Sequence, residues 1–75
     1  MNKKIVVEYN DGNGSGWKTV RDHGCVFWIA MSEQAALNYA QFELADKIQK
    51  ENKCSGDEAY HIVIKYKWKT KLWKE

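Results

Sequence analysis

In the stretch KKIVVEY, Ile5, Val7 and Tyr9 fall on one side and Lys4, Val6 and Glu8 on the other. That period of two predicts a β-strand with one apolar face. The following NDGNGSG, residues 10–16, combines three glycines with Asn and Asp and predicts a loose turn. WKTVR predicts a short second strand, and DHG a tight turn in which Gly24 is free to take a positive φ. CVFWIAM is almost wholly apolar. An unbroken run of that kind predicts a third strand that is covered on both sides or central in the sheet. Residues 17–31 read alternatively as one long strand with a bulge at His23–Gly24.

Ser32 opens a different pattern. Serine is a good helix N-cap, and Glu33 and Gln34 suit the first turn. The segment EQAALNYAQFELADKIQKENK is built from strong helix formers. Lys47, Lys50 and Lys53 lie toward its end, where the macrodipole favours cations. The spacing predicts a helix from Glu33 to about Lys53, with CSGDE as the return loop. At 100° per residue Leu37, Ala40, Leu44 and Ile48 form one stripe, the expected core face. Tyr39 and Phe42 fall opposite that stripe, one turn apart. Such a pair either packs inside the monomer, under a loop or the C-terminal arm, or serves a partner or a second copy of the chain.

The closing AYHIVIKYKWKTKLWKE returns to period two. Ile62, Ile64, Tyr66, Trp68 and Leu72 take the even positions, and Val63, Lys65, Lys67, Lys69, Lys71 and Trp73 the odd ones. A final strand follows from this, with Ile62 and Ile64 buried and the lysines solvated. At about 3.3 Å per residue a dozen residues run roughly 40 Å, longer than the other strands can match. The end from about Lys69 should therefore project, curl or pair with another molecule. The expected architecture is α+β, in the order β-β-β-α-β: a small antiparallel sheet of three to four strands packed on one α-helix in two layers. Residues 1–75 form a single domain, with no internal repeat and no linker.

Composition sharpens the functional side of this picture. A 75-residue chain buries only about 60–65% of its unfolded surface, so its core is thin and an internal substrate pocket has little room. Four Trp, four Tyr and two Phe are a heavy aromatic load, useful to a small core and to a binding surface alike. The net charge of +2 conceals a polarity. Residues 1–30 carry four basic against three acidic side chains, residues 31–58 three against six, and residues 59–75 five against one. A basic end and an acidic middle can orient a partner. The N-terminus has no apolar run suited to a signal peptide, and no stretch approaches a membrane span. The expected compartment is the cytosol, with Cys25 and Cys54 reduced.

Among the candidate chemistries, the stripe Lys65, Lys67, Lys69 and Lys71 is the strongest. Alternating lysines protect an edge strand from pairing with other sheets. With aromatics among them they also suit phosphate neutralisation and base stacking, or a protein partner with an acidic surface. Of the neighbouring rings only Trp73 shares the lysine face of a regular strand. His23, Cys25, Cys54 and His61 have the donor types for zinc but no CxxC spacing. They read as buried or half-buried thiols and surface imidazoles. DGNGSG has neither the following helix nor the Lys-Ser/Thr pair of a phosphate loop. Ser15, Ser32 and Ser55 have no nucleophile-elbow context. The expectation is a protein that is not an enzyme and that needs no metal and no cofactor.

The order itself adds one more reading. A strand hairpin, an apolar strand, the capped helix MSEQAALNYAQ and a basic-aromatic final strand together resemble small phage-encoded inhibitor proteins. These include anti-CRISPR proteins and a phage inhibitor of host RNA polymerase. The resemblance spans most of the chain and is one of overall pattern, with no residue-level motif. It implies a stoichiometric binder that blocks a host nucleic-acid-handling protein or ribonucleoprotein complex. The basic balance argues against DNA mimicry, which needs a dense carboxylate array. The partner-binding candidates are Lys65, Lys67, Lys69, Lys71, Trp73, Tyr39 and Phe42. The alternative function is that of a small basic nucleic-acid-binding protein using the C-terminal Lys/aromatic strand.

Overall fold

Three neighbours share the strand β1, Lys3–Asn10, in the computed structural model, which describes residues 2–74. Along one edge its first half pairs with β3 (Trp28–Ala30) and its second half with β2 (Lys18–Thr19); along the other it pairs with β4 (Lys67–Leu72). Every pairing is antiparallel. The centre of the sheet is therefore β1, and the apolar run around Trp28 lies on an outer strand rather than a central one. Six residues separate the register of β2 from that of β3, Glu8 facing Thr19 and Ile5 facing Trp28. The excess forms a small hairpin in which Asp22 and Cys25 exchange backbone hydrogen bonds of 2.9 Å. His23 (φ 49°) and Gly24 (φ 86°) make its left-handed turn. Residues 17–31 thus resemble one interrupted strand, with the break at the predicted His23–Gly24.

Helix α1 covers Glu33–Asn52, and the Ser32 hydroxyl accepts from the Ala35 amide at 3.1 Å. It ends at Lys53 in the left-handed region, φ 52°. A second helix then departs from the expected order. Residues Gly56–Ile64 form α2, capped by the Ser55 hydroxyl, which accepts from the Glu58 amide at 3.2 Å. The element order is β-β-β-α-α-β, still α+β in two layers. The first half of the expected final strand is a helix, and the predicted return loop is shorter. Ile62 and Ile64 are correspondingly not core residues; they are 40% and 42% exposed, while Ala59 and Val63, one turn apart, are fully buried. The strand is confined to Lys67–Leu72. Its end does not project, because the Trp73 amide donates to the Lys4 carbonyl at 2.9 Å. Glu75, the last residue of the predicted strand, lies outside the described residues.

The core has two linked parts. Ile5, Val7, Val20, Trp28 and Ala30 from the sheet meet Ala36 and Ala40 of α1. Leu44 and Ala45 of α1 meet Ala59 and Val63 of α2. Of the predicted stripe, Ala40 and Leu44 are buried, and Leu37 and Ile48 pack at its margins. Two indoles hold the layers in place. Trp28 Nε1 donates to the buried Val20 carbonyl at 2.8 Å, closing the gap between β3 and the end of β2. Trp68 Nε1 donates to the Val63 carbonyl at 2.9 Å, a carbonyl at the α2 terminus that also accepts from the Tyr66 amide at 3.1 Å. Tyr9 lies between Tyr66 and Trp68, with ring centroids 5.7 and 5.5 Å away. No helix among the described residues is long and apolar enough to cross a membrane.

Candidate binding face on the open side of the sheet

Both helices lie on one side of the sheet, the side of Ile5, Val7 and Tyr9. The pleat sends Lys4, Val6 and Glu8 to the other. Pairing extends that alternation to the neighbours. Val6 faces Lys71, Glu8 faces Lys69 and Asn10 faces Lys67 across β4, and Lys4 faces Ile29 across β3. Cross-strand partners share a face, so Lys67, Lys69, Lys71 and Ile29 stand on the uncovered side. Trp73 continues that face beside Lys4. Its ring centroid is 5.6 Å from that of Phe27, and Lys4 Nζ sits 5.2 Å above the Phe27 ring. At the other end Lys69 Nζ lies 4.2 Å above the Trp17 ring. Trp17 and Trp73 are 40% and 37% exposed and Ile29 is 58% exposed.

The result is a face of lysines interleaved with three rings contributed by different parts of the chain. Cation–π contacts at exposed sites are worth about 0.5–1 kcal/mol, so Lys69 holds the Trp17 ring face weakly and exchanges for a better partner at small cost. Between the two ring clusters runs a groove of about 740 Å³, lined by Val6, Glu8, Val26, Lys71 and Trp73 among others. Val6 at its floor is buried even on this side. Lys71 Nζ is 3.6 Å from Glu8 Oε1, so part of its charge is already balanced. Lys67 has no ion pair among the described residues.

Charge separates the two layers. The four strands contain Lys3, Lys4, Lys18, Lys67, Lys69 and Lys71 against Glu8 alone. The two helices contain Lys47 and Lys50 against Glu33, Glu43, Asp46, Glu51, Asp57 and Glu58. The sheet side is basic and the helical side acidic.

The sequence-predicted site residues do not form one surface. Lys67, Lys69, Lys71 and Trp73 share the open face. Lys65 is displaced from it, because it is the C-cap of α2. Tyr39 and Phe42 belong to the helical layer. They are exposed, 53% and 61%, yet each has an aromatic neighbour. Tyr39 lies 6.4 Å from Trp28, and Phe42 stacks on Tyr60 of α2 at 5.2 Å. Trp17, Phe27, Ile29 and Lys4 were not expected at the site. Their alternation was readable, but the register that sets them beside β4 depends on the six-residue excursion before Trp28.

The other candidates hold no assembled chemistry. Cys25 is exposed rather than buried, and Cys54 is half-buried. No group of three metal-ligating side chains occurs among the described residues. In the glycine-rich loop the Asp11 carboxylate accepts from the Asn13 amide at 3.1 Å and pairs with Lys18 at 3.3 Å. The amide hydrogen bond, with a smaller contribution from Lys18, holds its pKa below the ordinary 3.8. These contacts order a turn. Comparison with family models, curated proteins and solved structures finds no match to this chain.

Proposed function

We propose that this protein is a non-enzymatic binding module that acts as a small inhibitor. It occupies a functional surface of a nucleic-acid-handling complex with the open face of its sheet, in the manner of inhibitors encoded by phages and mobile elements. The observation that carries the reading is the uncovered sheet face itself. In so small a domain, three aromatic rings and a row of lysines stand on the one side of the sheet that no helix covers. Aromatic anchors within a charged rim are the usual composition of an interface, the rings slowing release and the charges speeding encounter. The acidic helical layer repels a polyanionic surface and leaves the sheet side to approach it.

The test is capture from a host lysate, with and without nuclease, followed by assay of the retained complex. Wild-type protein should abolish the complex's activity at near-equimolar ratio. Lys67→Gln combined with Lys69→Gln should slow association and flatten its salt dependence, with the circular dichroism spectrum unchanged. Equal inhibition by wild type and double variant would remove the open face from the mechanism.

A further inference from the structure

Resting on that reading, we infer that the open face binds single-stranded nucleic acid directly. Bases stack on Trp17 at one end and on Trp73 with Phe27 at the other, and phosphates lie along Lys67 and Lys69. The Trp17 cluster is level with the Glu8–Lys69 pair and the Trp73 cluster with Lys4. Four strand positions separate them, about 13 Å at 3.3 Å per residue. That interval holds an extended segment of strand rather than a single base.

Three features select this occupant. First, each end of the face places a lysine ammonium on or beside an aromatic ring. A nucleotide carries an anion and a planar ring in one unit. Its phosphate draws the lysine aside while its base takes the ring face that the lysine leaves. A protein carboxylate brings the charge without the ring. Second, a duplex keeps its bases stacked inside, whereas an unpaired strand can turn them onto aromatic side chains. Third, Glu8 is the only acidic residue in the four strands, and Lys71 at 3.6 Å balances it, so the strands themselves set no uncompensated carboxylate in the path of a polyanion.

Calorimetric titration of the full chain tests this with oligo-dT and oligo-rU of about 12 nucleotides, within the usual site size of 4–16, and with a duplex of equal length. Both single strands should bind more tightly than the duplex, and the stronger of the two identifies the preferred sugar. Trp17→Ala and Trp73→Ala should each weaken single-strand binding about 5- to 150-fold, the loss of one stacked base. Lys67→Gln and Lys69→Gln should each lower the log–log salt slope by about 0.7. Trp17 is part-exposed, so its variant reports on binding even if Trp73→Ala disturbs the fold.

The inference is overturned if wild type binds neither oligonucleotide at low salt, or if it binds duplex equally well with the ring variants unchanged. The first result, together with loss of complex inhibition in the Lys67/Lys69 variant, would leave the proposed function standing with a protein surface as the target. Oligonucleotide binding that is lost in variants which still inhibit would uphold the inference and remove the open face from the inhibitory mechanism.

Discussion

The two faces of the sheet are made from one strand and behave as two different materials. On the covered side β1 offers Ile5 and Val7, both completely buried against small residues of α1. Ala36 and Ala40, both fully buried, let the helix lie close to the strands. On the open side the same strand offers Lys4, Val6 and Glu8, and its neighbours add large rings and long cationic stems. The covered side has the shape of a stability device, with its indole N–H groups paired to backbone carbonyls. The open side spends its largest side chains where they are half in water. A chain with a thin core gains more from a Trp inside than outside. Trp17 and Trp73 on the surface therefore argue for use rather than for folding.

Substitutions on the two faces put that contrast to the test. Ile5→Ala should be the most damaging, at about 2–5 kcal/mol, out of roughly 4–11 kcal/mol available to a domain of this length. Leu44→Ala on α1 should fall in the same range. Urea denaturation measures both, and a loss under about 1 kcal/mol at Ile5 would erase the distinction between the faces. Trp28→Phe keeps most of the ring but leaves the buried Val20 carbonyl without its donor, at a cost of about 1–3 kcal/mol. An unchanged midpoint would show that the indole bond holds nothing together. On the open side Trp17→Ala should cost no more than about 1 kcal/mol, the size of its contact with Lys69. A larger loss would make the open face structural.

The smallest effect belongs to the loop that joins β1 to β2. Asp11 has a lowered pKa, so its contribution is complete above the ordinary 3.8 and fades as the pH falls through the lowered value. Protection of the Asn13 amide, which donates to Asp11, should fall in that acid range, and Asp11→Asn should remove the dependence. Loop protection that is flat through acid in the wild type would show that the carboxylate does not hold the turn.

Local signals in the sequence accounted for much of the fold. Ser32 capped a helix where its side chain could reach the Ala35 amide, and β1 followed its alternation. Gly24 lay in a left-handed turn. The misreading of residues 56–64 has a physical cause. Ile62 and Ile64 are β-branched and alternate, which suits a strand. The same segment also contains Ser55 and Glu58, the spacing of a helix capping box, and Ala59 and Val63 one turn apart. Local preference was divided, and tertiary packing decided it, since Leu44 and Ala45 of α1 supply the surface that Ala59 and Val63 bury. Length gave a further hint. A strand of roughly 40 Å has no partner in β1, whose eight residues span about 26 Å. Coiling the first half resolves the mismatch. The site was legible only in part for a related reason. Lysine alternation identifies one row of a face, whereas Trp17 and Phe27 join it through a register that no local pattern encodes.

The four tryptophans fall into two optical populations. Trp28 is buried and Trp68 half-buried, and both donate their indole N–H groups to backbone carbonyls; Trp17 and Trp73 are more exposed, on the lysine face. Under ultraviolet excitation the first pair should emit toward the blue and register the integrity of the core. The second should emit further to the red and be quenched by whatever settles on the sheet. The protein thus carries an internal dye for its folding and another for its contacts, separable by wavelength without any label.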